Sequence, residues 1–273
     1  MINVNGELIQ KESNVFTIGN RGFKYGDAIF ETLKYVNGKV IFLEEHYFRL
    51  MSSLRMLRMD APMHFTLEYF EEEILKTIEA NKLETARIRF SLSRNDGGLY
   101  TPVDHGIQYC IETTALKDLA KEEFKVELYK DFYVYSGLMS TIKTNNKVLN
   151  VIASVFAKEN DYDTCILINE KKQLVEAING NLFLIKGNTV ITPPITEGCL
   201  NGIIRDKLID ILTKNKMYQI EERVISPFEL KKVDEVFITN SIVDIQPITN
   251  YRKKVYNTNI SKQLKLLLKM SYS

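Results

Sequence analysis

Apolar and polar residues recur along this chain at two spacings, and the spacing separates strands from helices. Near the N-terminus, the strand-like runs 28–35 and 39–43 are joined by Asn37-Gly38, and a shorter pair flanks Asn5-Gly6. Asn-Gly between such runs predicts a type I′ hairpin, because both central residues must take positive φ. Residues 44–59 carry Leu50, Leu54 and Leu57 at helical spacing, and 67–80 place Phe70, Ile74, Leu75 and Ile78 on one face. Pro62 interrupts between them. Segments 85–93 and 107–113 alternate as strands do, with Asn95-Asp-Gly-Gly98 as the turn between. Residues 1–115 therefore read as a small α+β domain.

Residues 116–123 are charged and weakly patterned, which suits an interdomain linker. Alternation resumes over 125–135. Val148, Val151, Ile152, Val155 and Phe156 then mark a helix over 147–159. A buried strand is expected at 164–169, a hairpin-like region through Val190, and a loop at Thr192-Pro-Pro-Ile-Thr-Glu-Gly198. A helix over 202–212 turns Ile203, Ile204, Leu208, Ile211 and Leu212 inward. A strand at 233–239 and an amphipathic helix at 260–270 complete a larger α/β domain, 124–273.

Composition narrows the class without naming a function. The 273 residues are 45% hydrophobic and 26% charged, ordinary for a soluble globular protein. Net charge is +1 with acids and bases intermixed, so no nucleic-acid face is expected, and Tyr251-Arg-Lys-Lys254 reads as a solvated loop. The start, Met1-Ile-Asn-Val-Asn-Gly-Glu, lacks the basic flank and apolar core of a signal peptide. No apolar run reaches the ~18–20 residues of a membrane span. Three scattered cysteines, Cys110, Cys165 and Cys199, read as free thiols of a reducing, cytoplasmic compartment. His46, His64 and His105 form no ligand pattern, so no catalytic metal is expected.

Five features could carry chemistry. Lys143, in Ser140-Thr-Ile-Lys-Thr-Asn-Asn146, precedes a helix instead of lying on its polar face. Glu176 enters the Asn/Gly turn of Leu174-Val-Glu-Ala-Ile-Asn-Gly-Asn-Leu-Phe183. It is a turn acid or a buried carboxylate that holds a proton or cation. Asn201-Gly-Ile-Ile-Arg-Asp206 opens a helix after a Pro/Gly loop; its amides suit a phosphate, or Asn201 simply caps the helix. Thr239-Asn-Ser241 ends a strand, and Arg49 lies on a helix. Taken singly, each is outweighed by a plain structural role. Their order matters more. A lysine, an acid 33 residues on, an amide-rich helix start and a hydroxyl-bearing strand end are the parts a pyridoxal 5'-phosphate (PLP) site needs. The amine anchors the cofactor, the acid keeps its ring nitrogen protonated, and the remaining donors hold the phosphate dianion.

With these parts in place, the sequence resembles the class IV aminotransferases, the fold-type-IV PLP enzymes. Branched-chain aminotransferases, D-amino-acid aminotransferases and 4-amino-4-deoxychorismate lyases belong to that family. Six ordered segments carry the resemblance: Asn20-Arg-Gly-Phe-Lys-Tyr-Gly-Asp-Ala-Ile-Phe-Glu31, Glu45-His-Tyr-Phe-Arg-Leu50, Thr141-Ile-Lys-Thr-Asn-Asn146, Val175-Glu-Ala-Ile-Asn-Gly-Asn-Leu-Phe183, Thr192-Pro-Pro with Gly202-Ile-Ile-Arg-Asp206, and Asp234-Glu-Val-Phe-Ile-Thr-Asn-Ser241. The resemblance implies a two-domain α/β (α+β) enzyme like the D-amino-acid aminotransferases, with PLP between the domains. It makes Lys143 the covalent anchor, Glu176 the pyridine-nitrogen partner, and Arg49, Ser241 and the amides of Ile203 and Ile204 the phosphate ligands. Phe30 would line the substrate pocket; Arg89, Arg94, Asn240 and Ile242 are further substrate-side candidates. A homodimer is implied, with a loop near 99–105 reaching the partner's pocket.

The implied reaction moves an amino group between a branched-chain-like amino acid and a 2-oxo acid. The alternative is the deoxychorismate lyase, which releases pyruvate and 4-aminobenzoate. Three departures bear on that choice. Branched-chain enzymes usually carry Gly-Thr-Ala where this chain has Asn240-Ser-Ile242, and use the amides there for the substrate carboxylate. Val148 stands where they carry a tyrosine, and the Arg-x-His clamp of D-amino-acid enzymes is missing from 99–102.

Overall fold

The computed structural model describes residues 1–272. The chain forms two compact units: Met1–Lys117 with Lys143–Asn146, and Asp118–Ile142 with the chain from Lys147 onward. Assigning 143–146 to the first unit departs from the sequence reading, which kept it with the larger domain. The cause is local backbone pairing. Phe30 N donates to the Lys143 carbonyl and Asn145 N to the Ala28 carbonyl, both at 2.9 Å, so the segment adds a short bridge to a strand of the first unit.

The first unit contains strands β1 (Ile2–Val4), β2 (Glu7–Ile9), β3 (Ala28–Val36), β4 (Lys39–Val40), β5 (Ala86–Arg94) and β6 (Ile107–Ala115). Its helices are α1 (Arg21–Tyr25), α2 (Leu43–Met56) and α3 (Leu67–Ala80). The strands form one antiparallel sheet in the order β2-β1-β6-β5-β3-β4. Both Asn-Gly hairpins form as expected, with φ of 52° and 91° at Asn5 and Gly6 and 52° and 75° at Asn37 and Gly38. The strand expected over 39–43 is shorter. Phe42 takes φ 55°, which breaks the extended run and lets α2 start at Leu43. Helices α2 and α3 pack on the sheet. Leu50, Leu54, Phe70, Ile74, Ile88, Phe90 and Leu92 are each at most 1% exposed and form the core.

The second unit contains β7 (Lys125–Leu128), α4 (Val148–Glu159), β8 (Thr164–Ile168), β9 (Leu174–Ala177), β10 (Gly180–Lys186), β11 (Thr189–Thr192), α5 (Ile203–Lys214), β12 (Gln219–Glu222), β13 (Glu235–Asn240), β14 (Asp244–Ile248), β15 (Asn250–Tyr251), β16 (Lys254–Val255) and α6 (Asn259–Met270). They build a mixed ten-stranded sheet. Strand β10 pairs with β13 on one edge and with β9 and then β11 on the other. The register sets Glu176 opposite Asn181 and Asn181 opposite Thr239. Directly opposed residues of antiparallel strands point to the same face, so these three side chains form a row across the sheet.

One expectation is corrected here. The alternation over 125–135 does not give one strand: the chain leaves the sheet after Leu128, bends at Asp131-Phe132, and rejoins it at the Val134–Asn169 bridge. Helix α4 forms where its periodicity predicts, but its apolar stripe faces outward, with Val148, Val151 and Val155 71%, 60% and 49% exposed. The small residues Ala153 and Ala157 pack inward, against Tyr129, Cys165 and Leu167.

Candidate functional site

The candidate residues of the first unit collect at the start of β3. Pairing of 143–146 with that strand fixes the backbone of Lys143, and its Nζ lies 4.6 Å from the centre of the Phe30 ring. The Arg89 guanidinium, from the neighbouring β5, lies 3.8 Å from the same ring centre. Arg89 also donates to Ser91 Oγ (3.1 Å) and Asn145 Oδ1 (3.4 Å). Close approach of 143–146 depends on Gly26, which caps α1 in the left-handed conformation (φ 65°). A Cβ there would sit 2.3 Å from Asn146 Oδ1, inside any real contact. Lys143, Phe30 and Arg89, predicted from three distant segments, are thus brought together.

Arg49 lies one layer deeper. Its Nε donates to Glu31 Oε1 at 2.8 Å and its Nη2 to Glu31 Oε2 at 2.5 Å. His46 Nδ1 meets the same carboxylate oxygen at 2.8 Å. Glu31 is 1% exposed and His46 fully buried. Burial alone pushes the Glu31 carboxyl up; the Arg49 charge, aided by His46, overrides this and brings it down to about 2. Burial lowers the imidazole of His46. A neutral ring beside an ionised carboxylate must donate through Nδ1, which fixes its tautomer.

Arg94 does not join this group. Its Nε and Nη2 bind Asp27, Nη1 donates to the Arg58 carbonyl and Nη2 to the Leu57 carbonyl. Arg21 shares Asp27 and also donates to the carbonyls of Gly97, Leu99 and Tyr100. In this structure the donors of Arg94 close loops and pair with a carboxylate.

In the second unit, register does the assembling. Glu176 Oε2 accepts from Leu200 N at 2.9 Å, while Asn181 Nδ2 donates to the Leu200 carbonyl at 2.8 Å. Two residues of one sheet row thus grip a single residue just before α5. That helix starts at the N-cap Gly202, with no side chain capping it. A Cβ on Gly202 would lie 2.0 Å from Asn181 Oδ1. Asn201 is not the cap; its amide faces the Asp206 carboxylate. The side chains of Ile203 and Ile204 are buried, so their amides are held at the open helix start, where first-turn N–H groups have no intrahelical acceptor. The third member of the row, Thr239, is 1% exposed and its Oγ1 has no hydrogen-bond partner. Ser241 follows in the turn after β13.

Asn240 closes that turn on itself. Its Oδ1 accepts from the amides of Ile242 and Val243, both at 3.0 Å, and its Nδ2 donates to the Asn179 carbonyl. The Ile242 amide proposed from the sequence for substrate is therefore engaged by its neighbour. Three residues escaped the sequence reading: Glu31, His46 and Asn181. For Glu31 a signal exists, because it sits between Ile29 and Leu33 on the inward face of an alternating strand, where a lone acid is costly unless paired.

Donors suited to a phosphate therefore sit beside an uncapped helix start and an orphaned buried hydroxyl, an oriented carboxylate stands in the same sheet row, and a lysine amine rests on an aromatic ring in the other unit. Comparison with known proteins meets these features from outside. The chain is 28% identical over 272 residues to a Methanocaldococcus jannaschii protein that carries a provisional name as a branched-chain-amino-acid aminotransferase, covering 97% of this chain and 93% of the relative. It is 26% identical to the D-alanine aminotransferase of Listeria monocytogenes, over 90% of this chain and 86% of that protein. The fold matches the crystal structure of a branched-chain aminotransferase from Thermoproteus uzoniensis with norvaline at a TM-score of 0.90 and 24% identity, covering 98% and 93% of the two chains. A family profile, amino-transferase class IV, matches residues 28–251, and the chain belongs to that family of enzymes.

Proposed function

We propose that this aminotransferase uses PLP, anchored on Lys143, and moves the amino group of a branched-chain-like amino acid to a 2-oxo acid. The observation that carries the reading is the setting of Lys143: its backbone is paired to β3 and its amine lies against Phe30. The residues present fit the cofactor. Glu176, already oriented by Leu200 N, would hold a proton at the pyridine nitrogen. Arg49, Ser241 and the amides of Ile203 and Ile204 would hold the phosphate, and the orphaned Thr239 Oγ1 leaves one more donor close by in sequence. When bound, PLP supplies an electron sink for the charge left on the substrate carbon. The Lys143 amine would take the proton from that carbon and hand it on to C4′ of the cofactor, the shift that amino transfer requires. Phe30 and Arg89 would face the substrate, with Arg89 offering a charged donor to a carboxylate.

The outward stripe of α4 and the exposed Leu99, Tyr100 and Val103 support a homodimer, since exposed apolar clusters mark association sites. Replacing Val151 and Val155 together by Glu should shift sedimentation velocity from dimer to monomer; an unchanged dimer refutes that use of α4.

One observation favours a second reading. Asn240 occupies the Ile242 and Val243 amides, where branched-chain relatives are expected to receive the substrate carboxylate. This suits the deoxychorismate lyase. A half-reaction panel separates the two. PLP-loaded protein is mixed with L-leucine, L-glutamate, D-alanine and aminodeoxychorismate while the visible band of the bound cofactor and the products are followed. Keto acid from an amino acid supports the aminotransferase and names its side-chain class. Inertness to all three amino acids, with pyruvate and 4-aminobenzoate from aminodeoxychorismate, supports the lyase.

A further inference from the structure

We propose that Glu31 and His46 are positioning residues for the cofactor phosphate: they fix the plane of the Arg49 guanidinium and thereby set the preference of the chain for PLP over unphosphorylated pyridoxal. This rests on the reading of Arg49 as a phosphate residue and assigns a role to two groups that act through it. Three observations support it. Glu31 occupies an inward position of β3 between Ile29 and Leu33, where an unpaired carboxylate is costly, so its contacts are obligatory. It engages Arg49 through Nε and Nη2, one edge of a rigid planar fork. A guanidinium clamped on that edge presents its Nη1 end in one direction only. His46, fully buried on α2 three residues before Arg49, donates from Nδ1 to Glu31 and fixes the carboxylate plane in turn.

The cluster carries one negative charge on Glu31, one positive charge on Arg49 and none on His46, so its net charge is close to zero. Its contribution is therefore orientation more than bare attraction. The rotational freedom of Arg49 is lost on folding and need not be lost again when a dianion arrives. If charge alone mattered, removing the Glu31 charge would strengthen phosphate binding. If orientation matters, it weakens binding, and the two accounts differ in sign.

The test uses full-length apo protein and equilibrium dialysis with PLP and with pyridoxal, and inorganic phosphate as a competitor. Pyridoxal keeps the groups proposed for Lys143 and Glu176 and lacks only the phosphate. Glu31→Gln should lose roughly tenfold in PLP affinity, the size of one charge-assisted hydrogen bond. Pyridoxal affinity should stay within about twofold by the same measure. An unchanged or increased PLP-to-pyridoxal ratio in Glu31→Gln overturns the inference. Arg49→Ala separates the two layers. If Arg49→Ala keeps the ratio, the phosphate reading of Arg49 fails; if it loses the ratio while Glu31→Gln keeps it, only the positioning role fails. Circular dichroism identifies a variant that does not fold. Should Glu31→Gln be one, His46→Gln carries the test, with a fall in the ratio expected and an unchanged ratio overturning the proposal.

Discussion

In the first unit a cation is held by other side chains: Glu31 grips Arg49 and His46 grips Glu31, all in the layer between β3 and α2. In the second unit the donors are backbone amides at the start of α5, and what holds them is strand register, through Glu176 and Asn181 on either side of Leu200. The first arrangement is ionic and buried, so it responds to charge and to acid. The second rests on backbone amides and close packing around Leu200 and Gly202, so it responds to volume. Under the proposed function both would serve a dianion, and substitutions should tell the two kinds of rigidity apart.

The largest expected effect lies outside both devices. Lys143→Ala should lower turnover by a factor on the order of 10³ or more, measured by keto-acid release, since it removes the group proposed to move the proton. Substantial residual turnover would refute Lys143 as anchor and base.

Next comes Arg94→Ala, which tests the claim that this arginine is structural. Removing one partner of a buried ion pair costs about 3–5 kcal/mol. Asp27 keeps Arg21 in this variant, so urea denaturation should show a loss near the lower end. The Kd for PLP should not change. A stable variant with a raised KM for substrate would restore the substrate role.

Acid should then act on the first unit through Glu31. Its folded carboxyl lies at about 2 against an ordinary 4.5, so it binds a proton less readily folded than unfolded. Its stabilisation is present above the unfolded value and is lost as pH falls from about 4.5 toward 2. The size is on the order of 3 kcal/mol for a shift of that extent. Glu31→Gln should flatten this part of the stability-against-pH curve; an unaltered acid limb would argue against the ionised Glu31–Arg49 pair.

The smallest expected effect is steric. In Gly202→Ala the added Cβ meets Asn181 Oδ1 at 2.0 Å, so either Asn181 or the helix start must move. Overpacking of this kind costs roughly 1–3 kcal/mol. The PLP Kd should rise while the acid limb stays as in the parent. A parallel change in the acid limb would mean that the two regions are not independent in the way the contrast requires.

Legibility differed between elements for physical reasons. The Asn-Gly hairpins, α3 and the inward face of α5 could be read because their signals are local: turn chemistry and a periodic apolar face. The stripe of α4 carries the same periodic signal yet points outward, because periodicity shows that a face wants cover without saying what covers it. The resemblance sets Arg49 at the phosphate and Arg94 on the substrate side, but which carboxylate reaches each guanidinium is not written in the chain. Glu31 and His46 were legible in part, as polar residues at inward positions of a strand and a helix.

By itself the sequence determined the order of the elements and the family, because spacing, turn residues and six ordered motifs are properties of the chain as a string. Tertiary structure alone decided that Lys143 lies on Phe30, that Glu31 and His46 stand behind Arg49, and that Asn240 closes on its own turn. These contacts depend on cross-strand register and on which side chains share a buried layer. A carboxylate, an arginine or an amide takes its role from the partner that burial forces upon it, and that partner is set by the fold.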